Sequence, residues 1–393
     1  MKKMKVCMLM PFEIAEDRGD KIRELRNANT LLFYDNVDLY LIAPDSNIKN
    51  NFYKIPFFGS KNIYLQQLFI LLFGVFHAVR ISSKSKPDIF LVRGEIPILI
   101  GWLIKKIFKI PFIVDLAVID VNFISEWFLK QEKEGNNYID INKEGLKSKY
   151  SFHSRVANKF NRFGFSEASL FTVEMEYQLK ILKDMGLEEK RLFQLLPSLN
   201  IEKNYTNMKN EFDAVFIGSL DDSHFRMISP VIDRLRKIIS KKPDFKLVIV
   251  GGGPYEKVLK EKVKKLGFSK NVIFKGRLPN SEVMDVLKRS RIALSHSTGQ
   301  KCYEYCALGK PVVVFDGENT RSVLGKAALY SNDWNEYIDN IIFLLENSEK
   351  YDELSRNGRK LAESRSIDKI AKDFYKKLEE VLEENRKSKQ KNH

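Results

Sequence analysis

Cysteine, tryptophan and histidine are all scarce in this 393-residue chain, with three, three and five copies. The three cysteines, Cys7, Cys302 and Cys306, are too few, and odd in number, for a disulfide framework. Cys302 and Cys306 stand four apart, which puts them on one face of a helix, but no CxxC or HxxxH companion completes a metal site. Reduced, structural cysteines in a cytoplasmic protein are the expectation. Long hydrophobic runs are missing too. Leu68–Val79, broken by His77, and Ile96–Ile104 both fall short of the ~18 apolar residues that signal a bilayer span. Met1-Lys2-Lys3 opens no secretory signal, because the following run, Val6–Phe12, is short and holds Cys7 and Pro11. Acidic residues are the minority charge, 51 against 66 Lys and Arg, for a net +15. That balance favours anionic partners: nucleotides, sugar phosphates or acidic headgroups. No RNA or DNA motif accompanies the charge, so nucleic acid is set aside as a partner.

What the chain does have is apolar content, 44%, and length enough for two or three domains with buried cores. Short apolar runs alternate with helix-length segments almost from the start. Lys5–Met10, Val37–Ile42, Asp88–Val92, Pro111–Val114 and Ser169–Val173 read as strands, with helical patterns over Asp20–Leu32 and Ile96–Phe108. A polar interval follows from Asn200 to Asn210. The alternation then restarts with Asp213–Gly218, Lys246–Val250, Val272–Phe274, Arg291–Leu294 and Pro311–Val314. Strands spaced by helices predict an α/β chain of parallel, doubly wound sheets. The expected division is a Rossmann-like domain over 1–199, a linker over 200–211, a second such domain over 212–366, and a helix over 367–393 that ends in the basic run Arg386–Lys391. In such sheets ligands sit at the carboxyl ends of strands, beside helix N-termini.

The richest loop runs from Ser297 to Val313. A strand enters it, and a helix is expected from about Gly299 to Gly309. Free N–H groups at that helix start suit phosphate, and Lys301 adds a point charge. Glu304, one turn further, can accept hydrogen bonds from the vicinal hydroxyls of a ribose. The alternative is an ordinary helix start with Glu304 as a surface charge.

The layout Lys301-x-x-Glu304-Tyr305-x-Ala307-x-Gly309-Lys310-Pro311-Val312-Val313 resembles the carboxy-terminal signature of the family 4 retaining glycosyltransferases, the group 1 transferases of GT-B fold. The resemblance implies two Rossmann-like domains facing across a cleft. In that family a Glu-x7-Glu motif holds the sugar nucleotide; Glu304 matches the second Glu, and His296 stands where the first would fall. Phe216-Ile217-Gly218-Ser219-Leu220 resembles the family's opening strand and glycine turn. Ser219 replaces an Arg that many members place on the donor diphosphate, and Arg226 is an approximate match for a Lys that does the same. Val250-Gly251-Gly252-Gly253-Pro254 resembles the second turn, and Gly276-Arg277-Leu278-Pro279 the segment that flanks the base.

The amino-terminal half is similar to a narrower group, the sugar transferases that accompany bacterial exosortase (PEP-CTERM) systems. Asp17-Arg18-Gly19-Asp20-Lys21-Ile22-Arg23 matches their D-x-G-D-K-I-R loop. Asp115 to Asp120, with Ser125-Glu126-Trp127, is similar to their D-x-V-D-V-D-S-x-x-W segment. Thr172-Val173-Glu174-Met175-Glu176 and Gly299-Gln300-x-x-x-Glu304 agree with the same group. The resemblance therefore assigns donor contacts to Gly19, Lys21, Arg23, Gly218, Ser219, Arg226, Gly252, Gly253, Arg277, His296, Gly299, Gln300, Lys301 and Glu304, and catalytic candidacy to Asp115, Asp120 and Lys301. The two aspartates are expected just beyond a strand end, as acceptor-orienting groups or bases, with loop capping an equal reading. The implied reaction is metal-independent, cofactor-free transfer of a sugar from a nucleotide sugar to a glycan or lipid-linked acceptor, with retention. The expected setting is cell-surface polysaccharide synthesis, in the cytoplasm or at the inner face of the membrane, where Phe57-Phe58, Tyr64–Phe76 and Trp102–Phe108, interleaved with Lys and Arg, would meet anionic lipid; helices buried against the sheet are the other reading of these segments. A sugar-nucleotide-binding protein without turnover, or another GT-B enzyme such as a sugar-nucleotide epimerase, are the alternatives.

Overall fold

The computed structural model describes residues 3–11, 28–33, 35–46, 48, 50–56, 63–116, 164–174, 176–184, 186–196, 198–199, 210–295 and 300–391. The chain divides into two compact units, one formed by Met1–Ser198 with Asp368–His393, the other by Leu199–Ile367. Most of the interval expected as a linker, 200–209, lies outside the described residues.

The first unit is a seven-stranded sheet in the order β3-β2-β1-β4-β5-β6-β7. Its strands are β1 (Met4–Leu9), β2 (Val37–Ala43), β3 (Phe52–Lys54), β4 (Ile89–Val92), β5 (Phe112–Leu116), β6 (Leu170–Val173) and β7 (Leu192–Gln194). Every pairing is parallel. Both faces are therefore covered, which is why β4, β5 and β6 are buried at every residue. One face packs on helices α1 (Ile63–Lys84) and α2 (Glu95–Phe108), with α3 (Glu176–Asp184) beside them. On the other face Val6, Met8, Leu39, Ile113 and Leu170 share a core with Ile370, Phe374, Leu378 and Val381 of the terminal helix Ile367–Lys391. Those four lie at helical spacing and form the apolar stripe of an otherwise charged helix.

Helix α1 extends the short apolar run read from the sequence. It has 22 residues and, by length and composition alone, is long and apolar enough to cross a membrane. In the fold Ile70, Ala78 and Ile81 of α1 are buried in the unit's core, while Leu65, Leu68, Leu72 and Phe76 stay exposed along the opposite stripe.

The second unit repeats the winding with six parallel strands in the order β10-β9-β8-β11-β12-β13. These are β8 (Phe212–Ile217), β9 (Leu247–Val250), β10 (Val272–Gly276), β11 (Ser290–Leu294), β12 (Val312–Phe315) and β13 (Ala328–Ser331). The helices are α4 (Asp222–Lys241), α5 (Glu256–Lys265), α6 (Asn280–Lys288), α7 (Gln300–Ala307), α8 (Glu318–Leu324), α9 (Trp334–Glu346) and α10 (Ser348–Glu363). Helix α4 buries Met227, Ile228, Val231, Ile232, Leu235 and Ile238 against the sheet, an amphipathic pattern of helical period. Both units are thus α/β sheets of Rossmann type, the class the alternation predicts.

Candidate functional site

The winding of the second unit fixes where a ligand can enter. The chain builds outward from β8 through β9 to β10, then returns to the other side of β8 and continues through β11, β12 and β13. The direction reverses between β8 and β11, and the crevice at their carboxyl ends is the usual ligand position in an open α/β sheet. Beyond β8 come Gly218, Ser219 and Leu220; Ser295 follows β11, and Gln300 opens α7.

Lys301, the second residue of α7, spans that crevice. Its Nζ donates to the carbonyl oxygen of Ile217, the last residue of β8, at 3.2 Å. Burial pulls the Lys301 ammonium below its ordinary range, and the negative charge of Glu304 opposes the shift. Glu304 is half-buried on the same helix, one turn on. The frame beneath is anchored by Tyr337, whose hydroxyl lies 3.0 Å from the Ser295 carbonyl and 2.9 Å from that of Val313. Burial pushes the Tyr337 phenol well up, so it stays a neutral donor.

The glycine turns interlock. The Gly218 amide donates to Val250 and the Gly251 amide to Gly276. Gly251 has φ +132°, and a Cβ there would collide with the Gly218 carbonyl, so no other residue fits this approach. Gly252 and Gly253 complete the turn, with Leu220 bonded to the Gly252 carbonyl at 3.4 Å. The Arg277 side chain lies over Gly252, its Cγ 3.1 Å from where a Cβ would be, and Glu256 Oε2 lies 3.2 Å from the same point.

Arg226, expected on a donor phosphate, is on the exposed face of α4, its Nε bonded to Asp222 Oδ2 at 2.8 Å. Two residues earlier, His224 lies against the turn instead: a Cβ on Gly218 would stand 2.9 Å from its Nε2. Asp221, the N-cap of α4, accepts from the His224 amide at 3.0 Å, contacts His224 Nδ1 at 2.9 Å and accepts from the Ser219 hydroxyl at 2.6 Å. Those hydrogen bonds, Ser219's first, hold the Asp221 carboxyl well below the usual carboxylate range. Sequence reasoning missed this Ser219–Asp221–His224 cluster. Its signal was a capping Asp three residues before a His at the start of a helical pattern.

In the first unit Asp115 is not beyond the strand, where the sequence put it. It is the fourth residue of β5, 2% exposed, and accepts the Thr172 hydroxyl of β6 at 2.9 Å. The strand runs past the charged residue because a neighbouring strand supplies a buried donor. Gly19, Lys21, Arg23, Asp120, His296 and Gly299 lie outside the described residues. Gln300, Lys301, Glu304, Gly218, Ser219, Gly252, Gly253 and Arg277 all fall on the loops and helix start at the carboxyl edge of the second sheet. Among the described residues no three His, Cys, Asp or Glu side chains gather as metal ligands would.

Residues 197–361 match the family described as Glycosyl transferases group 1. An uncharacterized glycosyltransferase of Methanocaldococcus jannaschii is 24% identical over 231 residues, covering 54% of this chain and 51% of that protein. The chain thus spans about half the length of the curated relative it matches. Among solved structures, Anabaena HepE in complex with UDP is similar with a TM-score of 0.66 at 15% identity, covering 96% of this chain and 100% of that one. Sucrose-phosphate synthase from Thermosynechococcus elongatus reaches a TM-score of 0.70 at 13% identity, with 97% and 99% covered. At such identities the structures establish the fold, GT-B, and the family match supports a glycosyltransferase.

Proposed function

We propose that this chain transfers a sugar from a nucleotide sugar to an acceptor hydroxyl with retention at the anomeric carbon, without a metal ion, in the synthesis of a cell-surface glycan. The carrying observation is Lys301, a cation bonded to the last carbonyl of β8 across the winding reversal. A diphosphate in that crevice meets the Lys301 ammonium, the first amides of α7 and the imidazole of His224. Glu304 takes the ribose hydroxyls one turn inward, and Arg277 lies on the base side. UDP is the first nucleotide to try, because the similar HepE was solved with UDP and with UDP-glucose.

In the proposed step the bond from the anomeric carbon to the phosphate oxygen breaks while the acceptor oxygen bonds to the same face. The acceptor proton passes to the departing phosphate oxygen, so no protein nucleophile is required. Lys301 and the α7 amides, fixed before reaction, stabilise the charge growing on the diphosphate. Acceptor recognition falls to the amino-terminal unit. The burial of Asp115 suits a sheet-holding role, which leaves Asp120 as the carboxylate assigned to the acceptor.

The same unit supplies a membrane contact. The exposed stripe Leu65, Leu68, Leu72 and Phe76 belongs to α1, and exposed Arg80 and Lys84 add positive charge toward the carboxyl end of the same helix. Apolar and basic groups together suit the inner, anionic leaflet and a lipid-linked acceptor. Glutamate at Leu72 and Phe76 is expected to abolish pelleting with anionic vesicles.

The test of the function is a melting-temperature screen with UDP-, GDP-, ADP- and CMP-sugars on wild type and Glu304→Ala, followed by turnover with lipid-linked acceptors in the presence of a chelator. One nucleotide is expected to stabilise the wild type and lose most of that effect in the variant. The product is expected to keep the donor's anomeric configuration. Binding without turnover across a broad acceptor panel would reject the transferase; inversion would reject the mechanism.

A further inference from the structure

The second unit has another cavity, at the opposite edge of its sheet. Helix α7 is closed by Gly309, two residues past its end, with φ +61°; the Gly309 amide bonds to Cys306 and the Lys310 amide to Tyr305, the paired closure of a glycine-terminated helix. The chain then enters β12 at its amino end. A cavity of about 360 Å³ opens there between this corner and one face of α10.

Its lining is cationic. Lys310 forms part of the wall and is itself 4% exposed, its Nζ donating to the Lys288 carbonyl at 2.9 Å. From α10 come Ser355, Arg356 and Arg359, at positions that share one helical face. The Arg359 guanidinium and the Ser355 hydroxyl lean over Gly309: a Cβ there would stand 2.5 Å from Arg359 Nε and 2.7 Å from Ser355 Oγ. The missing side chain of Gly309 is what lets these two groups close over the helix end. Asn210 adds an amide, and Asp352 adds a carboxylate. Among the described residues, no ion pair joins Asp352 or Arg356 to another side chain. Burial first, and the Arg359 charge second, bring Lys310 down to about 8. Three cations thus line a cavity in which, among the described residues, Asp352 is the one carboxylate.

We propose that this cavity is an anion site, separate from the crevice at Gly218 and Lys301, that takes a phosphate-bearing small molecule on Lys310, Arg356, Arg359 and Ser355. The two sites lie at opposite ends of α7. A helix of eight residues puts them roughly 12 Å apart along its axis. The shape of the wall favours a compact, multiply charged oxyanion over a carboxylate, because two guanidinium groups and a hydroxyl can each meet a different oxygen.

Calorimetric titration of the full chain with inorganic phosphate and with pyrophosphate tests this, on wild type, Arg356→Gln, Arg359→Gln and Lys301→Ala, at fixed chloride. The two arginines are exposed, so both variants are expected to fold, which circular dichroism checks. Saturable binding that weakens at least tenfold in Arg359→Gln and Arg356→Gln, yet persists in Lys301→Ala and in saturating UDP, is the expected result. Vesicles carrying phosphatidic acid form a second arm: pelleting lost in the same arginine variants would identify the phosphate source as a lipid headgroup, and pelleting unchanged there, while soluble phosphate binding weakens, would identify a free phosphate. Binding that is absent, unchanged in both arginine variants, or removed by Lys301→Ala overturns the proposal. UDP binding in these variants is read separately, so failure of the anion site leaves the donor reading to its own test.

Discussion

In the amino-terminal unit Asp115, one residue from the carboxyl end of β5, is folded into the sheet and accepts from Thr172. In the carboxy-terminal unit the same kind of position carries Lys301, His224 and Arg277 around turns made of glycine. The two sheets wind alike, so the winding does not decide which edge is chemically active. What differs, among the described residues, is backbone: Gly218, Gly251 and Gly253 let two loops approach closely, with His224 against Gly218 and Arg277 over Gly252. The first unit instead presents its unusual surface on a helix, the apolar stripe of α1. One unit is equipped at its described loops for a charged ligand, and the other at a helix face for an apolar one.

The strongest way to break that comparison is at the glycine turns. Gly251→Ala places a Cβ on the Gly218 carbonyl at a φ of +132°, so the second unit must rearrange. The expected loss is more than about 4 kcal/mol, read as a collapsed or absent melting transition. The control is in the other unit: Gly186 also has positive φ, +84°, but nothing lies within 4 Å of its Cβ position. Gly186→Ala is expected to cost only about 1 kcal/mol. Equal costs would mean that close approach, as distinct from φ, contributes nothing.

Next in size is Lys301→Ala. It removes the cation at the reversal point without touching the core, and turnover is expected to fall about 100- to 1,000-fold, the scale of losing one preorganised charge stabiliser. Melting temperature should change little, since Lys301 is on a helix start. A large melting shift with intact kcat would assign Lys301 to structure alone. Thr172→Val makes the complementary cut in the first unit. It leaves the buried Asp115 carboxylate short of a donor and is expected to cost about 1–3 kcal/mol. Nucleotide-induced stabilisation is expected to survive, because the nucleotide site is assigned to the other unit.

The alternation of apolar runs and helical patterns was enough to predict two parallel sheets, because strands buried on both faces are written as continuous apolar residues. The short strands β3, β7 and β13 were not legible: Phe52–Lys54 and Leu192–Gln194 have three residues each, too few for any period to emerge. Asp115 was misplaced for a related reason. A charged residue ends an apolar run in sequence, whereas in the fold Thr172, 57 positions away, makes it an interior residue. At the site, Lys301, Glu304 and the glycine turns were readable because their spacing is local. His224 was not, since nothing in the order of residues says that a side chain on α4 will lie against Gly218; Arg226 was the more obvious cation and faces solvent.

The smallest expected effect isolates what Asp221 does for that histidine. Asn caps a helix about as well as Asp, so Asp221→Asn keeps the N-cap bond to the His224 amide and removes the charge that meets Ser219 and the imidazole. The Asp221 carboxyl titrates below its usual range in the fold, which means the folded state binds fewer protons there than the unfolded chain. Its contribution to stability is therefore complete above the unfolded value of about 4 and is lost as pH falls toward the lower folded value. The side chain is about half exposed, so solvent screening keeps the contribution to a few tenths of a kcal/mol. Chemical denaturation of wild type and Asp221→Asn at neutral pH is expected to differ by that amount, and the gap should close in acid. A gap that persists unchanged in acid would show that the cluster's value is in shape, as in the packing of the imidazole against Phe216, and not in charge.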